Sequence, residues 1–139
     1  MKLEDFFTRP QAETGKDLIV KDLNGLDTPL VLKVLGTESG NFINARREWH
    51  REEFRNKLSE TKLTPNESQL KYAKMVAHLI AGWSATDEFS YEAACELCYQ
   101  APYIGVQVET FASLNGNQFE EAVNEVKKSC SDGQNETLT

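Results

Sequence analysis

Asn24-Gly25, set between two short β-prone runs, constrains this chain more than any other feature. The runs are Leu18 to Lys21 and Leu30 to Leu35. An Asn-Gly pair between such runs is a strong hairpin signal, because both residues tolerate the backbone angles of a tight reversal. A two-stranded ribbon is marginal by itself, so it must pair further or lie on helices. Gly36 closes the segment. The expectation is a small antiparallel sheet covering one side of a helical body.

The helical body is punctuated clearly. Residues 38–60 predict a charged helix in which Phe42, Ala45, Trp49 and Phe54 fall near helical spacing on one side. Charged residues fill the rest, so this helix should pack through one narrow seam. Thr64-Pro65-Asn66-Glu67 is a capping box with proline at the first helical position. The helix it opens is expected to run to about Trp83, through Leu70, Ala73, Val76, Ala77 and Ile80, as the central core helix. Gly82 weakens its last turn. After a turn from Ser84 to Phe89, Ser90 caps a short helix to about Gln100 with Ala93, Ala94, Leu97 and Cys98 on its apolar side. Pro102 starts a helix holding Ile104, Val108 and Phe111. Asn117 can cap a last helix through Phe119, Ala122, Val123 and Val126.

The fold class expected is therefore α+β, mainly α: a small N-terminal antiparallel β ribbon followed by about five helices. One domain spans 1–128, with an arm at 1–15, the ribbon at 16–37 and the helical part at 38–128. The polar residues 129–139 are expected to be disordered. In the arm, Leu3, Phe6 and Phe7 can form one apolar helical turn before Pro10, an anchor for the domain or for a partner.

Composition narrows the function. The formal net charge is −7, whereas a phosphate-binding surface needs clustered bases. Residues 38–63 alone are slightly basic, with six bases against five acids. Glu48, Glu52 and Glu53 interleave Arg46, Arg47, Arg51 and Arg55, which argues against nucleic-acid binding. No apolar run approaches the roughly 20 residues of a membrane span. The opening MKLEDFFTRPQAETGKD has early acids and no apolar core, so no secretory leader is expected and the cytoplasm is the default. Three cysteines leave no disulfide framework and suit a reducing compartment.

No residue set is arranged for chemistry. Cys95 and Cys98 form a CxxC pair, but inside a helix rather than at the helix start where a dipole lowers a thiol pKa. A zinc site needs about four ligands, and no second pair follows. These cysteines read as core filling, with a small redox or metal-linked enzyme as the alternative. His50 and His78 sit in different helices without a nucleophile motif near either. No catalytic residue, cofactor or metal is expected: the chain reads as a binding protein rather than an enzyme. Large aromatics can line a groove for a partner helix. The candidate partner-binding residues are Phe42, Trp49, Phe54, Trp83 and Phe111.

Two segments also carry a resemblance. VLKVLGTESGNFINARREWHREE (31–53) places Gly36, Glu38, Ser39 and Phe42 where tail assembly chaperones of long-tailed, siphovirus-type bacteriophages have a β segment ending in Gly, a small or acidic pair, Ser, and then Phe opening a charged helix. LIAGWSATDEFSYEAACELCYQAPYIGVQVETF (79–111) resembles their helix, Trp, acidic turn, short helix, Ala-Pro and closing helix, with Trp83, Asp87, Ser90, Ala101-Pro102, Ile104 and Phe111 matching. The resemblance covers about four fifths of the chain by order and spacing rather than by one diagnostic motif. It implies a non-catalytic protein of the host cytoplasm that is absent from the mature virion. Such a protein binds the phage tape measure protein, keeps it soluble and promotes tail tube assembly around it. It also implies self-association on the client, and contact with the tail tube protein through a longer product made by ribosomal frameshifting, for which Lys127-Lys128 would allow a slippery codon pair. The alternative within the same setting is a structural protein of the tail or head–tail junction.

Overall fold

The computed structural model describes residues 2–114. The expected last helix through Phe119 and Val126, Lys127-Lys128 and the 129–139 tail lie outside the described residues. A single 3-10 turn, Leu3–Phe6, precedes helix α1, Arg9–Thr14. Strands β1, Lys16–Lys21, and β2, Asp27–Val34, follow, then helices α2, Gly40–Leu58, and α3, Pro65–Ala77. Strand β3, Ile80–Trp83, and helices α4, Tyr91–Gln100, and α5, Pro102–Ser113, complete the described fold. It is α+β and mainly helical, with the sheet towards the N-terminus, as the sequence patterning implied.

The hairpin forms at the predicted place. The Gly25 N–H donates to the Asp22 carbonyl at 3.0 Å, and Gly25 takes φ 80°, which its lack of a Cβ makes inexpensive. The Asp22 carboxylate accepts the N–H groups of Asn24 and Leu26 at 2.9 and 3.0 Å, pinning the loop from inside. Strand alternation then decides the faces. Leu18, Val20, Leu32 and Val34 point into the core, while Ile19 is exposed.

The ribbon does not stop at two strands. β2 pairs antiparallel with β1 on one edge and with β3 on the other, giving the order β1-β2-β3. This corrects the expected helix to Trp83: α3 ends at Ala77, His78 caps it, and Ile80–Trp83 pairs opposite Val34 and Leu32. Ile80 is buried in the strand, as it would have been in a helix, so periodicity could not separate the two. Hydrogen bonding separates them. Without β3, one edge of β2 would leave backbone groups unpaired next to the core, where each costs about 1–3 kcal/mol. The Leu35 N–H also donates to the Leu79 carbonyl at 2.7 Å, extending the seam beyond the strands.

Helices α3, α4 and α5 cover the buried sheet face. Val76, Leu79, Ala94, Cys98, Ile104, Val108 and Phe111 join the inward residues of β1 and β2 in one cluster. The predicted caps are present. The Thr64 hydroxyl oxygen accepts the Glu67 N–H at 3.2 Å, and Ser90 accepts the Ala93 N–H at 3.0 Å. Thr64 also donates to the Glu67 carboxylate at 3.1 Å, so the glutamate closes the box through the side chain. Gln107 on α5 bonds the edge of β1 like a short strand. Its oxygen accepts the Lys21 N–H at 2.9 Å and its amide donates to the Lys21 carbonyl at 2.8 Å.

The arm is tied down by α1. Ala12 is buried, the Gly36 N–H donates to its carbonyl at 2.9 Å, and the Glu13 carboxylate accepts the Gly40 N–H at 2.7 Å at the start of α2. Thr8 bonds Glu38 as well. The apolar turn before it stays outside, with Leu3, Phe6 and Phe7 exposed.

α2 is only lightly supported for its length. Phe42 is its one fully buried residue, and its main packing partner among the helices is α3. It ends in a Schellman arrangement, with the Thr61 N–H on the Asn56 carbonyl at 2.9 Å and the Glu60 N–H on the Lys57 carbonyl at 3.3 Å. Glu60 occupies the left-handed position at φ 54°, where glycine is the usual residue.

Two substitutions follow from these backbones. A Cβ on Gly36 would lie 2.6 Å from the Ala12 Cβ and 2.9 Å from its Cα. Gly36→Ala should therefore cost about 1–3 kcal/mol in urea titration and expose the α1 amides to hydrogen exchange. Glu60→Gly should instead stabilise the chain by up to about 1 kcal/mol, because it removes the left-handed penalty. A neutral or destabilising result would mean that Glu60 makes an offsetting contact.

Candidate partner-binding surface

The five sequence candidates do not form one surface. Phe42 and Phe111 are core residues, 3% and 5% exposed, and present nothing to a partner in this structure. Trp49 is half-buried between α2 and α3, with the Lys71 ammonium 5.1 Å from its ring centre and His50 edge-on at 5.2 Å. Phe54, 63% exposed, lies further along α2. Trp83 is on β3, at another place in the fold.

Trp83 is held in position. Its indole N–H donates to the Asp87 carbonyl at 2.8 Å, and its ring meets Phe89 edge-on at 5.0 Å. Ser84, the next residue, locks the strand end onto β2: its N–H donates to the Val31 carbonyl, and its hydroxyl oxygen accepts the Val31 N–H, both at 2.9 Å. The acidic turn after β3 thus folds back beneath the tryptophan instead of extending from it.

This arrangement opens a groove of about 290 Å³ between Trp83 and α4. Leu30, Trp83, Ala93 and Leu97 form its floor, with Asp87 and Glu96 among the residues at its margin. The volume suits one large aliphatic or aromatic side chain rather than a whole helix. Ala93 and Leu97 are one helical turn apart, so α4 lines it along one stripe. Leu30, Trp83 and Leu97 also pack on the main core, so the floor is a continuation of the folded interior. The charged residues that line the groove, Asp87 and Glu96, are both acidic. From Met75 to Ser113 the sequence contains no Lys or Arg, while Asp87, Glu88, Glu92 and Glu96 crowd the turn and α4.

Reactive groups are not assembled nearby. Among the described residues there is no group of three His, Cys, Asp or Glu side chains placed to hold a metal ion. Cys98 is buried against Gly105, and burial, reinforced by Cys95, pushes its thiol up to about 12. A thiol so raised stays neutral at physiological pH, the opposite of what a redox or metal-binding cysteine requires. His78 stacks on Tyr91 with ring centres 4.5 Å apart, and burial lowers its pKa. Tyr91 donates to the Lys74 carbonyl at 3.0 Å, and Tyr72 bonds Glu109. Burial, the largest cause, raises both tyrosines. Each of these groups is explained by packing between helices.

Sequence reasoning found Trp83 but missed the groove around it, because Leu30, Trp83 and Leu97 converge from three distant segments. The stretch free of bases from Met75 onward was the signal available. No helix of the described residues is long and apolar enough to cross a membrane. Comparisons with protein-family models, curated proteins and solved structures found no match to this chain.

The Cys98 environment carries a pH consequence. Its thiol has a folded pKa of about 12 against 9.0 for the free group. The stability that this burial confers is fully present below pH 9 and is lost as pH rises from there to about 12, because the unfolded chain ionises first. Chemical denaturation at pH 8 and pH 10.5 should show this decline, and Cys98→Ala should lessen it, leaving the part that the raised Tyr72 and Tyr91 contribute. An equal decline in the variant would assign the loss to other groups.

Proposed function

We propose that this chain is a tail assembly chaperone of a long-tailed bacteriophage. In that role it binds the helix-rich tape measure protein in the host cytoplasm, keeps it soluble and promotes tube assembly around it. The reading rests on the ordered resemblance of residues 31–53 and 79–111 to that family. The structural observation that favours it most is the rigid Trp83 groove, apolar at its floor and acidic at its margin. A helix with an apolar residue flanked by basic ones fits this groove by the helix-in-groove mode. The acidic margin would also repel wrong partners and other copies of the same groove. Nothing in this mode requires a reactive group, a cofactor or a metal.

Contact with the tail tube protein belongs to the same proposal, through a longer product whose junction would fall near Lys127-Lys128. The gene sequence decides that part: it requires a slippery heptamer and an overlapping downstream frame.

Co-expression with the tape measure protein tests the main reading. The wild-type chain should raise the soluble fraction of the client several-fold, and Asp87→Arg with Glu96→Arg, at the exposed margin of the groove, should cut the gain while the chain stays folded. Equal client solubility with and without the chain would sink the proposal. Mass spectrometry of purified virions should find the chain absent; stoichiometric presence would favour a structural tail or head–tail protein.

A further inference from the structure

α2 leaves open an apolar stripe that is also basic. Ile43, Arg47, Arg51, Phe54 and Leu58 step by four, four, three and four residues. That spacing keeps them within about 80° of one another around the helix. Phe54 and Leu58 are 63% and 72% exposed, and Arg47 and Arg51 are exposed beside them. Arg51 meets Glu48 at 3.1 Å, and Arg47 forms no ion pair with any described residue. The acids of α2 lie towards α3: Glu48 and Glu52 line a cleft with Lys71 and Lys74, and Glu53 is half-buried. Other open apolar patches carry acids instead. Glu4 and Asp5 stand between Leu3 and Phe6 in the arm, and Asp22 and Asp27 bracket Leu23 and Leu26 in the hairpin loop.

The chain's own continuation has the complementary chemistry. The described residues end at Leu114, just after α5, and residues 115–139 follow. Phe119, Ala122, Val123 and Val126 recur there at helical spacing, and on a helix Glu120 and Glu125 would flank that apolar line on its two sides. Residues 118–126 contain three acids and no base. α5 also ends in a suitable place. Phe111 and Ala112 line one small cavity with Leu35 and Gly36, which lead into α2 at Gly40. The connection Asn115-Gly116-Asn117 can span up to about 10 Å. A helix over 118–126 would be roughly 14 Å long, against roughly 16 Å from Arg47 to Leu58.

We infer that residues 118–126 form a helix that docks along the basic apolar stripe of α2 in the same chain, its apolar line covering Phe54 and its Glu120 and Glu125 facing Arg47 and Arg51. Charge selects this surface. On the arm or the hairpin loop the same glutamates would meet Glu4 and Asp5, or Asp22 and Asp27, with a like-charge penalty. Docking gives α2 a support besides α3 and removes an apolar patch from solvent. The segment is then a cover, and its release uncovers a basic, apolar helix face. Nothing in this contact depends on the client reading.

Hydrogen exchange of the full chain, resolved by peptide, tests the contact. A helix this short is marginal alone in water, so protected amides in 118–126 report docking rather than helix propensity. They should be protected in the wild-type chain, and equally so across a dilution series, as a contact within one chain requires. Phe54→Glu with Leu58→Glu, or Arg47→Glu with Arg51→Glu, should each lower that protection at least about tenfold, while the amides of β2 keep theirs. Adding Glu120→Arg with Glu125→Arg to the arginine variant should restore most of it, because the facing charges are opposite again. Unprotected amides in the wild-type segment overturn the inference. So does protection that persists in the folded α2 variants, which would seat the segment on another surface such as the arm. Protection that falls on dilution assigns the contact to a second copy and overturns it as well, as does a charge reversal that restores nothing.

Discussion

Strand β2 is the constraint on which the rest of the structure depends. It is hydrogen-bonded on both edges, and Leu32 and Val34 on its inner face are 0% and 2% exposed. A strand so placed needs two partners and a cover. β1 arrives through the hairpin, β3 arrives after two intervening helices, and α5 lies over the inward residues of the ribbon. The short length of α3 follows from the same demand. If it continued to Trp83, β2 would lose one edge, and the helical hydrogen bonds gained would not repair the unpaired groups left beside the core. The position of Trp83, and with it the groove, is thus a consequence of completing the sheet.

Local signals were legible where one residue makes the structure by its own chemistry. Gly25 turns the hairpin, Thr64 and Ser90 cap α3 and α4, and Pro102 opens α5, each as its type predicts. Signals failed where two structures satisfy the same pattern. Ile80 is buried in a helix or a strand, so only the unmet edge of β2, a tertiary fact, chooses between them. The same ambiguity affects α2. Phe42 and Phe54 both fit one apolar pattern at helical spacing, but they lie twelve residues apart, which rotates them about 120° around the axis. Phe42 enters the core and Phe54 faces outward. The candidate surface was therefore half legible: its aromatics could be named, but not which of them the core would absorb.

The outer face of α2 and the Trp83 groove differ in charge, and no α2 residue lines the groove. α2 is anchored at Phe42 and then runs beyond the core, so arginines and apolar residues can share its free face without disturbing packing. α4 is anchored by Ala94 and Cys98, leaving its Ala93–Leu97 stripe to line the groove. Small residues at the anchors bring α4 close to α5 and α3, which holds the groove wall in place. Cys98 serves that close approach, and its raised thiol is a by-product of burial there.

Magnitude decides how such a surface can act. A cavity of about 290 Å³ accepts one side chain, and burying one is worth roughly 1.5–3 kcal/mol. Exposed charge pairs at the rim add about 0–1 kcal/mol each. Association costs at least about 4 kcal/mol in lost freedom, so under the proposed chaperone reading a single groove would hold a single client helix only weakly. That weakness is compatible with a chaperone only if many copies act together. Linked or neighbouring copies along one long client convert later contacts into intramolecular ones, and avidity can then exceed the individual affinity by about 10²–10⁴. On that proposal a weak, repeated contact would also release easily if tube subunits competed for the client, which a tight one-to-one complex would resist.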